Sequence, residues 1–549
     1  MLNIYKLHPL PLLLGIILVS SLWQLGLWGV TESSEARYAE IPREMLLSGD
    51  MLIPRYLGIL HFDKPLMTYW ITALGYKIWG INAFGARFFL QIAFAVQLVM
   101  VYQIAKILFQ NSKTAIYSLI CYAAIPLTLI SVRDLTTDAY LNTFALISVY
   151  LYILFIKNNS ITALYGFFIA LGISIFTKGP FALILPLLAI FPINYIIKIQ
   201  VAKHPGNLLF HFVIGGVLML CLGGWWFFYL MSSSSQFYNF FIGDQIVNRV
   251  AHADKLNRSK PFWYYIALFP LFILPVLGLI VNWLTNVKNT HKSVNLLGMF
   301  TILIPIVLFS CSSSKLILYI LPIAPYIAIC AGYQLNLIAE SILKKIFVAN
   351  SIFYGMLTIA IITMSFGFIK ELPIIPNTQL LIFIAFLLGY FIYTLVTKAE
   401  LRRKYLLQLL IIPVFILPLS TNVLSQIELE INSTKPISDF ILSTFPNHKV
   451  LIWNRALNSI AFNLQEQIYS IKFNHYSLER NTQFQPNDHW KQTLVDVNNG
   501  EELGYLKKLI SGNSVLVRYK RDEIPAELEW ITQAFSAQKD FGKYIVYYK

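Results

Sequence analysis

Ionisable side chains are scarce in this sequence of 549 residues, so the places where they cluster are where chemistry is sought first. Only 13% of the residues are Asp, Glu, Lys or Arg, and 57% are hydrophobic; a soluble chain carries about a quarter charged residues. Four clusters stand out. The first is Thr31-Glu32-Ser33-Ser34-Glu35-Ala36-Arg37-Tyr38-Ala39-Glu40-Ile41-Pro42-Arg43-Glu44-Met45. It reads as a helix capped by Ser33 or Ser34, bent by Pro42 and closed by Ser48-Gly49-Asp50, with Tyr38, Ile41 and Met45 on one stripe. Such a helix suits a solvated face lying in a membrane interface, or the wall of an active site. The second cluster is His61-Phe62-Asp63-Lys64-Pro65, followed by Tyr69 and Trp70. An ammonium is a compact point charge, and in an aromatic setting at headgroup level it matches a phosphate; aromatic-belt anchoring with a snorkelling lysine is the plainer alternative. The third, Arg133-Asp134-Leu135-Thr136-Thr137-Asp138, sets two carboxylates four residues apart on one helix face. Their repulsion asks for a lysine, an arginine or a metal opposite, unless Asp138 serves as a helix cap. The fourth is dispersed: Lys178 before Gly179-Pro180, Arg249 and His252, and Lys315 with Tyr319 ahead of Pro322. Cations at helix ends can converge on a phosphate or diphosphate; singly, each is an interface anchor.

The elements that must position these clusters are membrane spans. The mean hydropathy is +0.63, and the first three quarters or so of the chain contain apolar runs of about 17–25 residues, long enough to cross a hydrocarbon core. Runs and breakers give about thirteen candidates: 10–30, 83–108, 114–131, 139–156, 160–177, 180–198, 208–231, 262–287, 295–312, 316–338, 345–369, 378–397 and 404–422. The first run is too long for a signal-peptide core and lacks a cleavage site, so it reads as a retained span. Alternate loops separate by charge. Lys6, Lys113, Lys157, Lys198, Lys203, Lys288, Lys292, Lys344, Lys345, Lys398, Arg402, Arg403 and Lys404 fall in short basic loops, expected to be cytoplasmic. The other loops are acidic or mixed and include the long segments 31–82 and 232–261; they are then outside, and all four clusters gather on that side. The formal charge of +15 reads as this bias plus attraction to anionic lipid rather than as nucleic-acid binding. Ionisable groups at membrane depth cost about 2.5–3.5 kcal/mol each on insertion scales, so clusters of them ask for a function.

From about residue 425 the chain turns polar. Lys449–Trp453, Ser514–Arg518 and Tyr544–Tyr548 read as strands, with a helix between Ala456 and Gln467. The expected division is a transmembrane domain over 1–424 and a small α/β domain over 425–549. The four cysteines, Cys121, Cys221, Cys311 and Cys330, all lie in apolar segments, which leaves neither a disulfide scaffold nor a CxxC metal site. His61, Asp63 and the nearby acids have no spacing that defines a metal site.

Taken together, Glu35-Ala-Arg37-Tyr38-Ala-Glu40-Ile-Pro-Arg43-Glu44-Met45, Ser48-Gly49-Asp50, Phe62-Asp63-Lys64-Pro65 and Tyr69-Trp70 resemble the first outer loop of a glycosyltransferase family. That family joins the aminoarabinose transferases of lipid A with the protein O-mannosyltransferases. Thr136-Thr137-Asp138, Thr177-Lys178-Gly179-Pro180, Pro261-Phe262-Trp263-Tyr264-Tyr265 and the stretch from Lys315 to Pro322 resemble later family motifs in the family's order, so the likeness covers roughly residues 10–340. It implies a membrane all-α protein of the type-C glycosyltransferase fold, with interfacial periplasmic helices and a C-terminal periplasmic domain. It implies inverting transfer of a sugar from a polyprenyl phosphate, the lipid-linked sugar being a substrate rather than a cofactor, in a bacterial inner membrane, and it leaves the need for a divalent metal open. By the same likeness Lys64 binds the carrier phosphate with Arg249, Tyr319 and Lys315; Arg37, Tyr38, Asp63, Asp134 and Lys178 line the cavity; and Glu35 and Asp138 are the catalytic acids. One position departs from the pattern. The family's usual Asp-Glu ahead of the Arg-Tyr pair is Ser34-Glu35 here, which leaves Glu35, with Glu32 outside the matched position, as the nearest acid.

Departure of a phosphate needs positive charge where negative charge develops. A hydroxyl acceptor also needs a base within hydrogen-bond reach, whereas a phosphate acceptor is already ionised. Serine at 34 therefore favours lipid A or another envelope glycolipid, with undecaprenyl phosphate as the carrier, over a protein or glycan hydroxyl. A flippase or secondary transporter is the rival from another class. Such proteins show internal repeats and broken helices near mid-bilayer, and this chain shows no repeat. A monomer with a cytoplasmic N-terminus completes the expectation.

Overall fold

The computed structural model describes residues 9–197, 207–233, 235–241, 243, 260–365, 377–474 and 479–549. Among them, ten helices are long and apolar enough to cross a membrane, or eleven if Tyr264–Phe272 and Leu274–Thr285, bent by 79°, form one span. Each coincides with a run anticipated from hydropathy; the end of the 345–369 run lies outside the described residues. Two further runs give shorter helices for local reasons. In 10–30 the helix ends at Leu22, and Gln24 turns to φ +50°. The 114–131 run breaks before Pro126, because proline pushes Ile125 out of the helical region to ψ 117°. Helices Ser112–Ala124 and Pro126–Ser131 remain.

The chain divides into two compact units, residues 1–24 with 90–420 and residues 25–89 with 421–549. This differs from a single boundary at 424, because the first long loop belongs with the C-terminal residues. The physical reason is a set of polar contacts far apart in sequence. Glu32 accepts from the backbone N–H and the hydroxyl of Ser459 at 2.6 and 2.8 Å, and Asn458 donates to the Tyr56 hydroxyl at 2.7 Å.

In the first unit, Thr137–Asn158 and Ile161–Lys178 form an antiparallel pair. Asn159 turns the chain at φ +51° and the Ser160 hydroxyl caps the second helix. Helix Leu208–Ser233 lies against Ile161–Lys178 where two glycines face each other: a Cβ on Gly223 would sit 2.8 Å from the Gly172 carbonyl. Buried amides hold the start of Thr137–Asn158 in place. Gln97 donates to the Ala139 carbonyl and the Thr143 hydroxyl, both at 2.8 Å, and accepts from the Tyr122 hydroxyl at 2.7 Å. Asn142 donates to that same hydroxyl.

In the second unit, helix Ser34–Ser48 ends on Gly49 in the left-handed region at φ +73° and packs on helix Met67–Trp79, whose Tyr76 hydroxyl donates to the Ala39 carbonyl at 2.8 Å. Strands β1 (Arg55–Tyr56) and β2 (Ile59–Leu60) make a hairpin closed by Leu57-Gly58. The remaining strands are β3 (Lys449–Trp453), β4 (Tyr469–Lys472), β5 (Leu494–Asp496), β6 (Ser514–Tyr519), β7 (Ala537–Phe541) and β8 (Tyr544–Tyr548). They form one sheet in the order β5-β4-β3-β6-β8-β7. The first four are parallel, with Val450 opposite Val515 and Leu451 opposite Tyr469, and β8 and β7 are antiparallel. Leu451, Trp453, Ile471, Val495 and Leu516 bury one face under Leu506, Leu509 and Ile510 of helix Gly500–Ser511.

Candidate functional site

Helix Ser34–Ser48 is no solvated surface helix. Glu35, Tyr38, Glu40, Arg43 and Met45 are all buried, so its charges must be answered inside the protein. Glu35 is answered by Arg87, which is fully buried. Arg87 Nε and Nη2 donate to the two Glu35 oxygens at 2.7 and 2.8 Å, and Nη1 and Nη2 donate to the carbonyls of Leu25, Trp28 and Gly29. Its guanidinium also stacks on the Trp28 ring at 3.9 Å. Thr31 adds its backbone N–H and hydroxyl to Glu35 Oε2. One turn on, Arg43 donates to both oxygens of Glu40, at 2.6 and 2.7 Å. Burial above all pushes the Glu40 carboxyl up to about 8, with the Glu44 carboxylate adding to it and Arg43 opposing it. Glu44 is also raised by burial, although it accepts the Gly58 N–H at 3.1 Å.

Arg37 and Tyr38 face a different group. Arg37 Nη1 lies 3.9 Å from Asp63, beyond hydrogen-bond range, and its guanidinium sits 5.4 Å from the Tyr56 ring. Burial works against its charge, but Tyr56 and Asp63 hold its pKa above the ordinary arginine value. Tyr38 packs on Tyr69 with ring centroids 5.8 Å apart, and the buried Tyr69 hydroxyl has no hydrogen-bond partner among the described residues. His61 Nε2 stands 3.8 Å from Asp63, and its ring lies 5.2 Å from that of Tyr56. Lys64 follows directly, half-buried. The structure thus brings Arg37, Tyr38, Asp63 and Tyr69 together in the second unit, with Lys64 adjoining them in the chain.

In the first unit, Thr136 rather than Asp138 caps helix Thr137–Asn158, its hydroxyl accepting the Asp138 N–H at 3.4 Å. The Asp138 carboxylate is thereby left for Lys178, which donates to Oδ1 from the end of the neighbouring helix. The same ammonium lies 4.6 Å from the Tyr319 ring centroid. Asp138, Lys178 and Tyr319, three residues singled out separately, therefore form one cluster. Asp134 is half-buried one turn before Asp138. Lys315 is spent differently: it is buried, and its ammonium donates to the carbonyls of Lys260 and Ser312. Arg249 and His252 lie outside the described residues. No group of three or more His, Cys, Asp or Glu able to hold a metal ion occurs among the described residues.

Two partners went unseen in the sequence, Arg87 and Ser459. Arg87 had a signal, since it is a lone charge in an apolar run, a placement that asks for a partner. Ser459 had none.

A many-span helical body with buried ionisable clusters and a small mixed sheet is the architecture of the type-C glycosyltransferases. The crystal structure of ArnT from Cupriavidus metallidurans bound to undecaprenyl phosphate matches with a TM-score of 0.74, covering 98% of this chain and 97% of that one at 19% identity. The apo form of the same protein matches at 0.70, with 20% identity. Residues 63–226 match the family described as dolichyl-phosphate-mannose-protein mannosyltransferase. The undecaprenyl phosphate-alpha-4-amino-4-deoxy-L-arabinose arabinosyl transferase of Yersinia pestis (strain Pestoides F) is 29% identical over 357 residues, 62% of each chain. The protein of the same name from Serratia proteamaculans is 27% identical over 334 residues, 59% of each. The chain thus spans 62% and 59% of the length of these curated relatives. Over these stretches the chain is similar to lipid-carrier-dependent glycosyltransferases, and it shares the fold of the solved ones.

Proposed function

We propose that the chain is an inverting glycosyltransferase that moves a sugar, in this reading an aminopentose, from undecaprenyl phosphate to lipid A or a related envelope glycolipid at the periplasmic face. The observation that carries this reading is the near-complete match to a structure bound to undecaprenyl phosphate, together with relatives named as aminoarabinose transferases. Positive-inside bias supports a cytoplasmic N-terminus and a periplasmic sheet domain.

An acceptor oxygen attacks the anomeric carbon from the face opposite the carrier. The bond from that carbon to the carrier oxygen breaks, and its electron pair leaves on undecaprenyl phosphate. Lys64, assisted by Arg249, supplies positive charge to that phosphate. Within the second unit Arg37, Tyr38 and Asp63 are the residues we assign to substrate contact, and within the first unit Asp138 and Lys178, beside Tyr319. A phosphate acceptor needs no base. This accords with Ser34 at the departing position and with the full set of hydrogen bonds on Glu35, which we assign as an anchor.

The test is transfer by the purified chain from undecaprenyl-phosphate aminoarabinose to lipid A, read by mass spectrometry. Modified lipid A is expected, and Lys64→Ala should abolish it. Full activity of Lys64→Ala removes the phosphate role. Transfer to a hydroxyl acceptor but not to lipid A overturns the acceptor, and no use of any polyprenyl-phosphate sugar overturns the reading as a whole.

A further inference from the structure

We propose that the first unit holds a structural anionic phospholipid in an apolar groove among helices Pro9–Leu22, Asn377–Val396 and Leu401–Gln426, with the lipid phosphate on the basic turn that joins the last two. The groove encloses about 620 Å³, within the range of about 300–1,000 Å³ usual for small-molecule sites. Phe386, Gly389, Tyr390 and Tyr393 line it from one helix, at the spacing that shares a face. Leu407, Leu410, Ile411 and Val414 line it from the next, and Ile16 from the first. Arg403 leads that second stripe, four residues before Leu407 and so on the same face. Lys398 stands at the other end of the turn, five residues past Tyr393, and both basic side chains are exposed.

The occupant follows from how charge is spent around this turn. Arg402 is engaged, donating to the carbonyls of Leu335 and Ile338 and pairing with Glu400. Lys404 donates to the Thr394 carbonyl at 2.6 Å. Among the described residues Lys398 and Arg403 are left as exposed cations beside the turn end of an apolar, partly aromatic groove. Basic residues beside a cleft between spans match an anionic headgroup whose tail enters that cleft. The groove wall is also built irregularly. Ile412–Ile416 forms a π turn, a feature that gathers at functional positions, and Ser20 donates to the carbonyls of Pro413 and Val414 there, at 2.8 and 2.9 Å. The Tyr390 hydroxyl is buried with no hydrogen-bond partner among the described residues, and a lipid ester supplies the acceptor it lacks.

The test is native mass spectrometry of the full-length protein released from mixed micelles of phosphatidylglycerol and phosphatidylcholine at equal concentration. Retention of phosphatidylglycerol is expected to exceed that of phosphatidylcholine, with each basic residue contributing roughly fivefold. Lys398→Ala with Arg403→Ala should abolish the preference and keep tail binding. Gly389→Leu should lower retention of both lipids. A Cβ at Gly389 meets nothing within 4 Å, so the added side chain fills the groove without disturbing the helix. Equal retention of the two lipids by the wild type, a preference that survives the double substitution, or displacement of phosphatidylglycerol by undecaprenyl phosphate in a Gly389-dependent manner would each overturn the proposal.

Discussion

Glu35 accepts from Arg87 Nε and Nη2 and from both donors of Thr31, and all five N–H groups of Arg87 are used. Each oxygen of Glu35 is thus held by a buried cation that cannot give up its charge. We therefore expect Arg87→Met to destabilise the protein by about 3–5 kcal/mol, because it leaves a carboxylate buried without its cation. The double variant with Glu35→Gln should be less destabilised than the two single losses added together, read by thermal unfolding in detergent. Glu35→Gln that kept its melting temperature but lost turnover would instead make Glu35 catalytic. Asp138 and Lys178, which we propose face the substrate, should instead be coupled in the rate. Asp138→Asn and Lys178→Met should each lower kcat/KM by at least about tenfold, which is about 1.4 kcal/mol of transition-state stabilisation, and the double variant should lose little more than either alone. Independent, additive losses in the rates would remove the pair from the site.

Helix Ser34–Ser48 and its neighbours show which elements could be read in advance and which could not. Gly49 places the C-terminal end of this helix from sequence alone, whereas Ser33 makes no capping hydrogen bond at its start and Ser34 lies inside it; strands β3, β6 and β8 carry β-branched and aromatic runs that announce themselves. β4 and β5 are four and three residues long, too short for any period to register. β7, Ala-Gln-Lys-Asp-Phe, lies mostly exposed at the sheet edge, where charge is normal and alternation absent. Within the candidate site, Lys64 and Asp138 were legible as ionisable groups in an apolar chain. The pairing of Glu35 with Arg87 was not, since its members lie 52 residues apart. Glu32 belongs to this scale because it ties the loop before the helix to helix Asn458–Leu464. Burial raises its carboxyl from 4.5 to about 6, against the hydrogen bonds of Ser459 and Asn458 and the charge of Arg37. Between those values the folded protein binds more protons than the unfolded one, so stability falls as pH rises from about 4.5 to about 6, by on the order of 2 kcal/mol. Glu40, raised from 4.5 to about 8, adds a slope of the same sign across that whole range. Glu32→Gln should make the curve shallower below pH 6, where the Glu40 slope remains, and leave the higher part in place, as measured by thermal unfolding across pH. A variant curve parallel to the wild type would deny Glu32 this part.

At the scale of the whole molecule, the apolar runs are legible because lipid imposes a length and a composition on every span. The partition of the chain was hidden for a complementary reason. Residues 25–89 join 421–549 through side-chain hydrogen bonds such as Glu32 to Asn458, across 426 residues, and such pairs leave no trace in a local window. Orientation is what the loops contribute, and it carries the proposed chemistry with it, because a polyprenyl-phosphate sugar displayed outside is useless to a site facing inward. The test uses single cysteines in a chain whose exposed Cys221 and Cys311 are serine; Cys121 and Cys330 are buried. Ser511→Cys, at the exposed end of helix Gly500–Ser511, should react with a membrane-impermeant maleimide in cells whose outer membrane alone is permeable. Lys288→Cys, exposed in a basic loop, should react only after the inner membrane is broken, since short loops rich in lysine and arginine stay on the cytoplasmic side. The reverse labelling pattern would place the sheet domain in the cytoplasm, and transfer at the periplasmic face would then have to be abandoned.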